Sequence, residues 1–172
     1  MNIGSFVARG FLLLALIAAA AQIAMLAPQM PAEVPAHFDA AGEPDRWSTR
    51  KGLVVTFIVI HAASLLTTLG MGYAIRWFPV SMVNLPNREY WLAPERSRNT
   101  YRVLFDLMCW VESGTILLMM GIFQLSYWVG VQQRTTINPE FFVLLGTYIA
   151  FVLGISAWIY IRFSRRNASS GN

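Results

Sequence analysis

His37, Asp39, Glu43 and Asp45 place four oxygen or nitrogen donors within nine positions of one polar connection, Met30 to Lys51. Such a cluster could hold a cation, with His37, Asp39 and Asp45 as the candidate ligands. The spacing fits no calcium-loop pattern, and a zinc site would need a cysteine or a second histidine close by. Turn chemistry is the preferred reading, the acids accepting hydrogen bonds from nearby backbone amides. Pro28, Pro31 and Pro35 favour an extended approach to this loop. Asp39 to Gly42 and Glu43 to Asp45 read as consecutive turns, with Gly42 able to take a positive φ. The loop is thus expected to be ordered rather than a loose spacer, with Phe38 and Trp47 dipping into the membrane interface.

Three further ionisable residues, His61, Asp106 and Glu112, stand inside apolar segments. A charge in hydrocarbon is costly, so such residues face a bundle interior and mark candidate functional sites. At about 1.5 Å per residue, Glu112 lies roughly 14 Å from one end of its segment and His61 roughly 25 Å from the same side. A direct pair is therefore not expected. Thr68 to Gly70 and Gly154 to Ser156 are the levels that match Glu112. Glu112 is expected to be protonated or hydrogen-bonded there, as interhelical glue or in a proton path. Asp106 is expected to pair with Arg102, four residues earlier. His61, near Ser64, reads as a satisfied core histidine.

These residues hang on four apolar segments, approximately 6–27, 53–78, 103–127 and 141–163. The chain has 172 residues, 56% hydrophobic and 13% charged, with a mean hydropathy of +0.49. A soluble domain of this size carries about 25% charged residues. Each segment has about the 20 residues that a helix needs to cross a bilayer core. The expected fold is an all-α, single-domain membrane protein: four transmembrane helices in a bundle, with an ordered external loop between the first two. The first segment reads as a retained span rather than a cleaved signal. Residues 164–172 read as a flexible tail.

Nine of the thirteen Lys and Arg residues fall on the side that holds both termini and the middle loop. That bias makes this side cytoplasmic and the opening loop external. The net charge of +4 is no nucleic-acid signal, because the arginines flank the spans. Ser48 or Thr49 can cap the second span, and Asn138, Pro139 and Glu140 form a start for the fourth. Pro94 and Glu95 begin a helix expected to run unbroken to Tyr127. Gly70, Gly72, Gly114, Gly121, Gly146 and Gly154 permit close helix packing. The single cysteine, Cys109, lies inside the third span and reads as structural.

The run Pro35, His37, Phe38, Asp39, then Gly42, Pro44, Asp45, Trp47 and Lys51 resembles the signature of the bacterial membrane family called domain of unknown function 1648. Asn84, Pro86, Asn87, Tyr90, Trp91, Pro94 and Glu95 are similar to that family's second motif, so that the likeness runs from about residue 10 to 125. Some relatives carry this domain ahead of helices resembling SdpI-type immunity proteins. The resemblance implies a multi-pass protein of the bacterial inner membrane and no defined chemistry.

No nucleophile constellation, phosphate loop or haem-attachment motif is present. The expectation is a non-enzymatic accessory, interaction or sensor subunit without a cofactor, working through the external loop and the cytoplasmic Asn84 to Arg102 segment. Exposed Tyr90, Trp91, Arg96 and Arg98 would serve as binding anchors or, equally, as anchors in the lipid interface. Its partners would be the lipid bilayer and another membrane protein or a second copy. An extracytoplasmic peptide is a further candidate, in an immunity-like role. The alternative from another class is a small proton- or ion-coupled transporter that uses Glu112 and His61.

Overall fold

The computed structural model describes residues 3–132, 134–137 and 139–165. Its order is α1 (Ile3–Leu26), β1 (Glu33–Phe38), β2 (Pro44–Thr49), α2 (Arg50–Ala74), the one-turn α3 (Arg88–Trp91), α4 (Pro94–Gln132) and α5 (Glu140–Ser164). Short 3-10 turns follow α1 and α2. The helices α1, α2, α4 and α5 are each long and apolar enough to cross a membrane. The expected four-helix membrane fold is present. It also carries a small sheet that was not expected.

Helix α4 is the hub. Helices α1, α2 and α5 all pack on it, while α1 and α2 make few contacts with each other. At 39 residues α4 is unbroken from Pro94 and passes Tyr127 by five residues, about 58 Å in all at 1.5 Å per residue. Polar side chains tie it to each neighbour. Gln22 of α1 donates to the Met120 carbonyl and to Gln124, both at 3.1 Å. Thr115 and the Tyr148 hydroxyl of α5 are 2.9 Å apart. Backbones approach closely where glycine leaves room. A Cβ on Gly72 would stand 3.2 Å from Met108, and one on Gly114 2.5 Å from the Phe151 ring. Gly121 meets Leu144 in the same way. Gly70, Gly146 and Gly154 face open space, so only half of the glycines expected to serve packing do so.

Thr49 caps α2, its hydroxyl accepting from the Gly52 amide at 3.0 Å; Ser48 does not fill that role. At α5, the expected capping Asn138 lies outside the described residues. Pro139 precedes the helix instead of opening it, and Glu140 is the first helical residue. Residues 166–172 of the expected tail also lie outside.

Candidate functional site

The connection between α1 and α2 is a β-hairpin rather than two successive turns. β1 and β2 pair antiparallel, with Pro35 opposite Trp47 and His37 opposite Arg46. Irregularities at Pro35, His37 and Phe38 break the two-residue side-chain alternation. Proline is tolerated because each strand has a free edge. Only Asp39 to Glu43 form the turn. There Asp39 Oδ1 accepts from the amides of Ala41 at 2.8 Å and Glu43 at 2.9 Å. Gly42 takes φ 79°, a left-handed conformation that a β-branched residue reaches only with strain. Glu43 and Pro44 belong to the end of the turn and the start of β2 rather than to a second turn.

The rest of the protein braces this hairpin. Val34 and Pro35 are buried against Gly130 of α4, where a Cβ would stand 3.5 and 3.6 Å from them. The Arg50 guanidinium donates to the carbonyls of Pro28 and Met30, each at 3.1 Å. The Ile137 amide donates to the Gly42 carbonyl at 3.0 Å, joining the turn to the α4–α5 connection. Phe38 is half-buried against Leu125, Val129 and Ile137. What remains outside is a polar surface. His37 Nδ1 lies 2.6 Å from Asp45 Oδ1, both exposed, and Trp47 keeps 55% of its surface free. Lys51 is exposed in the first turn of α2. Asp39 points into its own turn instead of joining His37 and Asp45, and no three His, Cys, Asp or Glu among the described residues could hold a metal ion together.

Because Gly42 has the positive φ and its carbonyl receives Ile137, Gly42→Val should cost about 1–3 kcal/mol. Thermal melting in detergent tests this expectation. A melting temperature within one degree of wild type would remove the turn from the list of what holds the hairpin.

Inside the membrane, Glu112 is fully buried and Ser64 of α2 donates to its Oε1 at 2.7 Å. The partner is one turn away from the expected Thr68 to Gly70 level. The reason is the end of α2 at Ala74, four residues before the assumed boundary. Ten residues from Ala74 to Ser64 amount to about 15 Å, which is the depth of Glu112. His61 lies one turn further and makes no hydrogen bond to Glu112. Its Nδ1–H donates to the Phe57 carbonyl at 2.7 Å, which leaves Nε2 as an acceptor. Glu112 Oε2 and His61 Nε2 are both buried without a hydrogen-bond partner among the described residues. Asp106 does not pair with Arg102. It accepts from Ser5 of α1 and lies 3.4 Å from the Arg9 guanidinium, while Arg102 donates to Asn99.

The second motif closes the end of α5. The last carbonyls of a helix have no partner within it and need outside donors. Asn87, left-handed at φ 51°, sends Nδ2 to the carbonyls of Phe163 and Ser164, both at 3.1 Å. Trp91 Nε1 donates to the Phe163 carbonyl at 2.7 Å, and Thr100 donates to the Trp91 carbonyl at 2.8 Å. Trp91 is only 7% exposed, so the expected surface anchor is an internal clamp. Tyr90 meets Trp91 edge-to-face and carries the Arg96 guanidinium 4.0 Å above its ring. Asn84 is exposed and Pro86 half-buried. Pro94 and Glu95 open α4, as expected. Sequence reasoning missed Ser5, Gln22, Gln124 and Tyr148; the two glutamines, polar groups in apolar runs, were the available signal.

Four apolar helices, three of them gathered on the fourth, with a hairpin at one end, define a multi-pass membrane protein. Residues 13–61, which are most of α1, the hairpin and the first half of α2, match the family model of the domain of unknown function DUF1648, and over that stretch the chain resembles this family. The second motif lies beyond the matched stretch. No curated protein and no solved structure matches the chain.

Proposed function

We propose that the protein is a non-enzymatic accessory subunit of the bacterial inner membrane, with both termini cytoplasmic, that engages another membrane protein through its external hairpin. The bracing of that hairpin carries the reading. Strands, turn and flanks are fixed to α4, α2 and the α4–α5 connection, yet Trp47, His37 and Asp45 stay exposed. A spacer between two helices needs no such order. A rigid surface with an exposed aromatic suits recognition, because less freedom is lost on binding. The cytoplasmic motif, engaged in holding α5, contributes less to this role. A groove of about 630 Å³ beside the hairpin, lined by Glu43, Pro44, Trp47, Val129 and Arg134, suits an extracytoplasmic peptide in the immunity-like version of the role.

Purification in mild detergent followed by native mass spectrometry tests the proposal. A stoichiometric unlike partner is expected, lost in Trp47→Ala while the melting temperature is kept. Recovery of the protein alone, under conditions that preserve other complexes, would count against it.

The second reading is proton-coupled transport through Glu112 and His61. It is favoured by one observation: Glu112 Oε2 and His61 Nε2 are both buried without a hydrogen-bond partner among the described residues, and His61 stands one turn along α2 from Ser64, the residue that donates to Glu112. Proton-driven flux in liposomes that vanishes with Glu112→Gln would establish it. Flux unchanged by that substitution would dismiss it.

A further inference from the structure

We propose that the cavity between the arginine-rich ends of α1, α2 and α4 binds a phosphate group, supplied by the headgroup of an anionic phospholipid. The cavity measures about 410 Å³, and four guanidinium groups from three helices line it: Arg9 of α1, Arg76 just past α2, and Arg98 and Arg102 of α4. Arg9 shares Asp106 with Ser5. Arg76, Arg98 and Arg102 have no carboxylate within 4.0 Å among the described residues. Cations brought together without counter-charge repel one another, and a shared anion turns that repulsion into binding.

The side chains are already positioned. Arg76 donates its Nε–H to the Tyr73 carbonyl at 2.9 Å and lies 3.5 Å over the Tyr73 ring. Arg102 donates to Asn99, and Arg9 lies 5.1 Å over the Phe105 ring. Arg76 and Arg102 keep further N–H groups, arranged in the fork that suits phosphate oxygens. Two features favour a lipid as the source. The cavity stands where the apolar spans end, at headgroup depth, where basic pockets between helices take anionic headgroups. Gly72 and Phe105 are part of its lining, and α1 and α2, which both contribute to it, make few contacts with each other. Acyl chains would have an apolar path beside the bound headgroup.

The test compares wild type with Arg98→Gln/Arg102→Gln by melting temperature and by lipid retained in native mass spectrometry. Phosphatidylglycerol, phosphatidylcholine and inorganic phosphate are the added probes. Arg46→Gln/Lys51→Gln removes the same charge at the opposite end and serves as the control. Wild type and control should retain phosphatidylglycerol in preference to phosphatidylcholine, and the cavity variant should retain roughly tenfold less. Arg98→Gln alone, whose native side chain has no hydrogen bond to a described residue, gives the same comparison if the double variant is not recovered. Stabilisation of wild type by inorganic phosphate equal to that by lipid, and absent from the variant, would support the phosphate site with a soluble source. Equal retention of the two lipids by wild type, or undiminished phosphatidylglycerol on the variant, overturns the proposal.

Discussion

Trp91→Ala is expected to lower stability by about 3–5 kcal/mol, as large truncations of buried aromatics do. The indole fills the space between Tyr90 and Phe163, with ring centroids 5.1 and 5.3 Å away, and it lies next to Arg162. Its N–H also serves the Phe163 carbonyl. Trp91→Phe keeps most of the packing and removes that donor, so its cost should be nearer 1 kcal/mol. Asn87→Ala should cost about 1–3 kcal/mol, because it removes donors and places a Cβ-bearing residue without a local hydrogen-bonding side chain in the left-handed region. Asn87 and Trp91 share the Phe163 carbonyl, so the double variant should depart from additivity. Unfolding curves in a denaturing detergent series would measure all four. A Trp91→Ala cost below 1 kcal/mol would show that α5 is held elsewhere.

Gly114→Val and Gly121→Val are each expected to destabilise by about 1–3 kcal/mol through overpacking. The new side chains would run into Phe151 and Leu144, which lie along the α4–α5 contact. Gly146→Val and Gly154→Val put the same side chain into open space on α5 and should cost less than about 1 kcal/mol. Since α5 packs chiefly on α4, the combined Gly114 and Gly121 variant should loosen α5 while α1 and α2 keep their contacts. Faster protease cleavage between α4 and α5 would report that. Equal effects from the two glycine pairs would refute the assignment of the contact face.

The four spans were legible because a bilayer demands long apolar runs, and that demand is written locally. Thr49 and Gly42 were legible for the same reason, each acting within three or four residues. The hairpin was harder. Its bulges interrupt alternation, and Pro35 and Pro44 argue against strands unless both edges are known to be free. The roles of Asn87 and Trp91 depend on carbonyls more than 70 positions away, and Asp106 finds its partners about a hundred positions earlier. No periodicity encodes such pairings. The six glycines divide by face, which the sequence leaves open until the neighbour of each helix is known.

The central place of α4 sets a timetable for biogenesis. Chains leave the ribosome from the N-terminus, so α1 and α2 are made before the helix on which both pack. Until residues 94–132 follow them, Gln22 and Ser64 lack their eventual partners Gln124 and Glu112. During that interval the two early helices must be chaperoned by lipid, by the insertion machinery or by each other. Nascent chains halted before Pro94 should therefore be the quality-control substrates, whereas those halted after Gln132 already hold three of the four spans together.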